Sequence, residues 1–175
     1  MSHGDDSARL WLMNAGPLRE SVALFLSLEA QLLDERRWRE WQALFDAEGD
    51  YWMPLSPEQP DPVDHVSLLY ETREGMELRI RRLEGSPAVS QQPASRTARR
   101  VGNVLLRAVD DAAGTLDLSA VFDVSESRAG ETRRFSGHYR YHLRRELGTP
   151  PFRILRKTVV LIDCDAPLPD IFCYL

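Results

Sequence analysis

The chain has 175 residues, of which 43% are hydrophobic and 28% are charged. This length fits one compact core, so we expect residues 1–175 to form a single domain. The composition is that of an ordinary globular protein and excludes disordered and fibrous chains. A net charge of −5 argues against nucleic acid as a partner.

Charge is distributed unevenly along the chain. Residues 1–84 carry nine basic and 17 acidic side chains, a net charge of −8, whereas residues 85–175 carry 13 and ten, a net charge of +3. This asymmetry suits an acidic helical layer on a basic sheet, or a basic face that meets an acidic partner.

Targeting signals and reactive cysteines are not indicated. No apolar run approaches the roughly 18 residues that a membrane span needs, and Met1–Asp6 does not begin a secretion signal. We therefore expect a cytoplasmic protein with no membrane association. Cys164 and Cys173 match no metal or redox spacing and are expected to be small buried hydrophobic residues.

The first part of the chain predicts helices. Pro17 follows Gly16 where a first helical turn tolerates proline, and apolar residues then recur at helical spacing to about Leu33. A second, shorter helix is predicted over Trp38–Phe45 and is expected to stop at Gly49.

Short strands and a third helix follow. Asp50–Met53 and Val66–Tyr70 have the character of strands, and the prolines of Pro54–Pro62 predict a surface loop between them. Apolar residues spaced four and three apart predict a helix over Arg73–Leu83, ended by Gly85-Ser86-Pro87.

From Arg99 onward the pattern changes to period two, which is typical of half-buried antiparallel strands. Turn residues divide this region into strands near 99–109, 115–127, 132–146 and 152–162, and a last short strand is predicted over Ile171–Tyr174. Helices followed by a meander predict an α+β domain in which helices cover one face of a strongly curved antiparallel sheet.

The histidines of this sequence are not spaced to share a metal ion. His138 and His142 are four residues apart, but in a strand four residues span about 13 Å, whereas two ligands of one metal each lie about 2 Å from it. We expect them to form a solvated or interfacial polar face together with Arg134, Arg140 and Arg144.

Asp64-His65 is the one adjacent pair that resembles an acid/base dyad. Together with Tyr70 it defines an alternative pocket, although neighbouring residues seldom orient each other. Trp38, Trp41 and Trp52 are expected in the core rather than at an interface.

Several segments resemble the beta subunits of Rieske-type aromatic-ring-hydroxylating dioxygenases, the small subunits of toluate, benzoate, biphenyl and naphthalene dioxygenases. The resemblance covers almost the whole chain. It is carried by Glu29–Trp41, Asp50–Pro54, Pro93–Val104, Phe135–Arg145 and Ile154–Leu161, in this order and spacing.

The resemblance implies a cone-shaped fold similar to nuclear transport factor 2 and scytalone dehydratase. It also implies a homotrimer of small subunits and a large (alpha) dioxygenase subunit as partner. The Rieske 2Fe-2S cluster and the mononuclear iron are then expected in the large subunit, because a Rieske centre needs two cysteines and two histidines and neither cysteine here has a nearby histidine. We expect no catalytic, cofactor-binding or metal-binding residue in this chain.

The Pro93–Arg100 segment is the candidate subunit interface, because arginine forks in a loop can grip carboxylates or carbonyls of a neighbouring chain. The suspected contact residues are Ser95, Arg96, Thr97, Arg99 and Arg100. An intramolecular anchor to carboxylates of the same chain remains open.

Three functions remain open on the sequence. The first is a structural subunit that supports dihydroxylation of an aromatic compound by its large partner. The second is a free-standing cone-fold enzyme or small-ligand binder of the dehydratase or isomerase type that uses Asp64 and His65. The third is an orphan homotrimer.

Overall fold

The computed structural model describes residues 3–85, 93–166 and 168–175. The helices and strands follow in the order α1 (His3–Asn14), α2 (Pro17–Asp34), α3 (Trp38–Gln42), β1 (Phe45–Pro54), β2 (Ser67–Thr72), α4 (Arg73–Glu84), β3 (Arg96–Asp110), β4 (Thr115–Arg128), β5 (Glu131–Arg145) and β6 (Phe152–Leu161).

The six strands form one sheet in the order β2-β1-β6-β5-β4-β3. β1 runs parallel to β6, and the other neighbouring pairs are antiparallel. Register shifts in β3, next to Asn103 with its positive φ, mark bulges that bend the sheet. This confirms the predicted α+β fold, a curved, mostly antiparallel sheet with N-terminal helices.

The α2 helix packs against the inner face of the sheet. Pro17 occupies its first turn, where the missing N–H costs nothing. Its buried side chains recur every three or four residues, which places them on one stripe: Val22, Phe25, Leu26, Glu29, Leu32 and Leu33.

Alternation along the strands determines which side chains face α2. In β4 the inner face carries Leu116, Leu118, Ala120, Phe122 and Val124, all buried. Side chains at the intervening positions form the outer face, which is the face of the sheet turned away from α2. Trp38, Trp41, Trp52, Cys164 and Cys173 are buried, as expected.

The predicted end of the second helix was wrong. Phe45 begins β1, and Gly49 lies within this strand instead of stopping a helix. Glycine at this position lets the backbones of β1 and β6 approach closely, because a Cβ at Gly49 would collide with the backbone oxygen of Ile154 in the parallel neighbour β6.

Two further differences concern the termini. Helix α1 was not predicted, because its apolar residues Leu10–Met13 are consecutive rather than helically spaced, and Trp11 and Leu12 remain exposed. Ile171–Tyr174 is irregular and not a strand. Helix α4 ends at Glu84, before Gly85, while Ser86 and Pro87 of the predicted stop lie outside the described residues.

Candidate functional sites

The space between helix α2 and the inner face of the sheet, which we call the interior of the cone, holds a buried ion pair. Glu29 on α2 and Lys157 on β6 are only 2% and 1% exposed, and the Lys157 Nζ lies 2.9 Å from Glu29 Oε1. Trp41 donates its indole N–H to the same carboxylate at 3.0 Å, and the Tyr141 hydroxyl donates at 2.6 Å. The carboxylate is thus held by three donors from three elements.

Aromatic rings fill the space around this pair. The Lys157 Nζ lies 4.3 Å from the ring centre of Tyr139, a cation–π contact. Tyr174, from the C-terminal segment, packs 4.3 Å from Trp41 and 5.3 Å from Tyr51 between ring centres. Side chains of the protein itself therefore fill the space immediately around the Glu29–Lys157 pair, whereas a cavity of about 680 Å³ lies beside Trp38 and Cys173.

Burial controls protonation in this interior. Desolvation, with Glu29 as a further cause, raises the pKa of Tyr139 and Tyr141 well above 10.0. Desolvation also lowers the pKa of Lys157, and the nearby Glu29 carboxylate opposes this shift. The tyrosines are neutral at physiological pH and serve as donors and packing surfaces.

Three of the five suspected interface residues turn inward. Asp34 of α2 accepts hydrogen bonds from Thr97 Oγ1 at 2.8 Å and from the backbone N–H of Arg99 at 2.9 Å. The Arg99 guanidinium, 1% exposed, pairs with Asp34 and donates to the carbonyl of Tyr174. Ser95 donates to Glu126, also within the chain.

Arg96 and Arg100 face the opposite way. They lie in β3, opposite Ser127 and Asp123 of β4, and both are exposed on the outer face. The prediction of a loop over these residues was wrong, because the strand starts at Arg96 and pairs with β4 at once. Neither guanidinium has a hydrogen bond or ion pair with the described residues.

The alternative pocket residues are not assembled into a dyad. Asp64 and His65 are exposed in the segment before β2, and His65 Nδ1 faces Asp61 at 3.4 Å rather than Asp64. Tyr70 lies on β2 and donates to Asp50 at 3.3 Å.

His138 and His142 lie on the outer face of β5, and His142 Nδ1 is 2.8 Å from Asp117 on β4. Within residues 3–85, 93–166 and 168–175, no group of three or more histidines, cysteines, aspartates or glutamates could hold a metal ion. None of the helices in these ranges is long and apolar enough to cross a membrane.

Sequence reasoning missed the interior pair. One signal was available, because Lys157 is the single lysine among 22 basic residues. Its partner Glu29 occupies a position of the apolar stripe of α2, which only the three-dimensional packing explains.

Comparison with known proteins agrees with this architecture. The chain is 39% identical over 88 residues to the small subunit of 2-halobenzoate 1,2-dioxygenase from Burkholderia cepacia, a match covering 47% of this chain and about half (53%) of that relative. It is 29% identical over 156 residues to the beta subunit of benzene 1,2-dioxygenase from Pseudomonas putida, covering 84% and 83% of the two chains.

Solved structures give the same class. The beta subunit of benzoate 1,2-dioxygenase from Burkholderia mallei superposes with a TM-score of 0.68 at 25% identity, over 87% of this chain and 95% of that one. An NTF2-like protein with a cystatin-like fold from Novosphingobium aromaticivorans has a TM-score of 0.58 at 17% identity, over 93% and 91% of the two chains, which shows the fold alone.

The fold is therefore that of the NTF2-like cone proteins and dioxygenase beta subunits. The sequence profile of the ring hydroxylating beta subunit family matches residues 28–166. The chain belongs to this family, which confirms the resemblance seen in the sequence.

Proposed function

We propose that this chain is the small, structural subunit of a cytoplasmic aromatic-ring-hydroxylating dioxygenase. It assembles as a trimer with large subunits, and these carry the Rieske cluster and the mononuclear iron that dihydroxylate an aromatic compound. The family match over residues 28–166 is the observation that carries this proposal.

The interior supports a structural role. Glu29 and Lys157 neutralise each other and aromatic rings pack around them, so that these buried charged groups are used within the fold. Burial raises the pKa of the Cys173 thiol to about 12, so that it is not the thiolate a metal site requires. The exposed Asp64 and His65 lend no support to the free-standing enzyme.

The outer side of β3 is the surface we assign to the large subunit, and Arg96 and Arg100 are its contact residues. If both pair with carboxylates across a desolvated contact, Arg96→Ala/Arg100→Ala weakens binding of the large subunit by about 2–5 kcal/mol. If both stay solvated, the loss is about 0–1 kcal/mol. Arg82→Ala, an exposed arginine on α4, is the matched control.

The readout combines thermal melting of the isolated variant with recovery of dioxygenase activity after mixing with the large subunit. Unchanged melting with lost activity supports the interface. A collapsed melting temperature shows instead that these arginines stabilise the fold of their own chain.

The function itself is tested by copurification. A tagged chain isolated from its native host is expected to bring a larger chain with it, and iron and sulfide in the eluate follow that larger chain. The chain purified alone is expected to hold no stoichiometric iron, cluster or zinc. About one metal per isolated chain, or no larger partner, contradicts the proposal.

A further inference from the structure

The cavity of about 680 Å³ lies where α3, the end of α4, the start of β3 and the C-terminal segment meet. The described residues that line it include the apolar side chains of Trp38, Leu83 and Phe172. Arg36 and Gly85, which also line it, are exposed and mark its open side. An open cavity of this volume with apolar walls is typical of a small-molecule site.

A second cavity of about 170 Å³ adjoins the first, since Phe172 and Arg128 line both. Glu126 and Arg133 also line this smaller cavity. The guanidinium carbons of Arg128 and Arg133 lie 3.9 and 5.4 Å from the centre of the Phe172 ring, and these cation–π contacts hold the shared wall. The two cavities are therefore neighbours, a larger apolar one and a smaller polar one.

Glu126 is the buried polar group of the smaller cavity. It continues the inward-facing row of β4 after Val124 and is only 1% exposed. Its Oε1 accepts a hydrogen bond from the Ser95 hydroxyl, whereas its Oε2 has no hydrogen-bond partner among the described residues. A buried carboxylate with an empty acceptor is costly, so this oxygen is available to a ligand.

The neighbouring arginine does not neutralise Glu126. Arg133 lies directly opposite Glu126 in the register of β4 and β5. Its guanidinium donates instead to the carbonyl of Asp170 and pairs with Glu131. Within the part of the chain that the structure describes, Glu126 forms no ion pair.

A donor without a partner lies at the same wall. Burial raises the pKa of the Cys173 thiol, the Arg99 guanidinium opposes this shift, and the Glu126 carboxylate adds to it. Arg99 and Glu126 therefore both lie near Cys173, which lines the larger cavity. The Nε of Arg99 is buried and makes no hydrogen bond with the described residues. One unsatisfied donor and one unsatisfied acceptor thus lie on either side of Cys173.

These groups select the chemical class of the ligand. An aromatic ring suits the walls formed by Trp38, Leu83 and Phe172. The arginines that line both cavities repel a cation, and the carboxylate of Glu126 repels an anion. A neutral hydroxyl group can donate to Glu126 and also accept a hydrogen bond, and it brings no charge.

We propose that the two cavities together bind a neutral hydroxylated aromatic compound, whose ring lies in the larger cavity and whose hydroxyl group donates to Glu126 in the smaller one. The site lies within the small chain and needs no large subunit. Failure of this proposal therefore leaves the proposed function untouched, and the reverse also holds.

Titration of the purified small chain with 2-naphthol tests the site at neutral pH, where this two-ring compound is neutral. Calorimetry is expected to show one molecule bound per chain with a Kd at or below about 0.1 mM. Saturating 2-naphthol is expected to raise the melting temperature, because it binds the folded chain alone. In competition with 2-naphthol, naphthalene lacks the donor and 2-naphthoate carries a negative charge, so each is expected to bind at least about tenfold more weakly.

Two variants locate the bound molecule. Leu83→Trp fills the larger cavity and is expected to abolish binding, whereas Leu78→Trp, at an exposed position of the same helix, should bind as wild type does. Glu126→Gln replaces the charged acceptor by a neutral one and is expected to raise the Kd about tenfold. Glu48→Gln, an exposed carboxylate outside both cavities, is its control and should leave the Kd unchanged.

No saturable binding of 2-naphthol up to about 1 mM overturns the proposal, as does binding that survives Leu83→Trp. Equal affinity for naphthalene and 2-naphthol overturns the role of Glu126 and needs no variant, so this comparison decides the point if Glu126→Gln does not fold. If Leu83→Trp melts early, Leu83→Phe takes its place, and a Kd raised at least about tenfold is the expected result.

Discussion

Lys157→Met removes the ammonium group that neutralises Glu29 in the interior of the cone. The two side chains are 1% and 2% exposed, so water cannot replace the lost partner. Trp41 and Tyr141 still donate hydrogen bonds to the carboxylate, but neither donor carries a charge. The buried charge of Glu29 therefore remains uncompensated in the variant.

Breaking a buried ion pair on one side costs about 3–5 kcal/mol. Glu29→Gln is expected to lose a similar amount, because it leaves the ammonium of Lys157 without its carboxylate. The double variant Glu29→Gln/Lys157→Met removes both charges and keeps an amide that can hydrogen bond with Trp41 and Tyr141. Its stability is expected within about 2 kcal/mol of wild type.

Chemical unfolding followed by circular dichroism measures these free energies at neutral pH. The reasoning is refuted if either single variant loses less than about 1 kcal/mol, since removing one partner should leave the other charge buried and uncompensated. It is refuted equally if the loss in the double variant equals the sum of the two single losses, which would show that the groups are not coupled.

Arg99→Ala is expected to lose about 2–3 kcal/mol in chemical unfolding, because the carbonyl of buried Tyr174 and the partly buried Asp34 carboxylate both lose the guanidinium. Exposed Arg100→Ala is expected to stay within about 0.5 kcal/mol of wild type, and equal losses would contradict the assignment. Gly137→Ala is expected to lose at least about 1–3 kcal/mol, because its Cβ would collide with the carbonyl of Val160 and separate β5 from β6; an unchanged melting temperature would contradict this. Burial raises the pKa of the buried tyrosines, so above pH 10 they lose their protons in the unfolded chain but keep them in the folded one. The free energy of unfolding is therefore unaffected by these groups below pH 10 and falls above it by about 1.4 kcal/mol per tyrosine and pH unit. The lowered pKa of Lys157 acts in the opposite direction but is a single group, so melting temperatures are expected to fall between pH 10 and 11.

The strands β3 to β6 were predictable because apolar and polar residues alternate along their sequence. Leu116, Leu118 and Phe122 alternate with polar residues, and β4 shows the same alternation of buried and exposed side chains. The long helix α2 was predictable for the same reason at helical period. Local pattern and tertiary packing agree in these elements.

Contacts between distant segments could not be predicted in this way. The pairing of Glu29 with Lys157 joins residues 128 positions apart, and Arg99 meets Tyr174 across 75 positions. The loop expected over Pro93–Arg100 gave no reason to separate inward-facing Arg99 from outward-facing Arg100. Their position in strand β3 places them on opposite faces of the sheet, because neighbouring side chains of a strand point in opposite directions.

The most direct test of a structural role is reconstitution of ring dihydroxylation from separately purified large and small chains. The small chain alone is expected to be inactive, and its addition is expected to raise the activity of the large chain. The Glu29→Gln/Lys157→Met variant, once shown to fold, should raise the activity of the large chain as much as wild type does, because the buried pair stabilises the small chain and takes no part in the reaction. A folded and assembled variant that fails to support activity, or turnover by the small chain alone, would contradict the account.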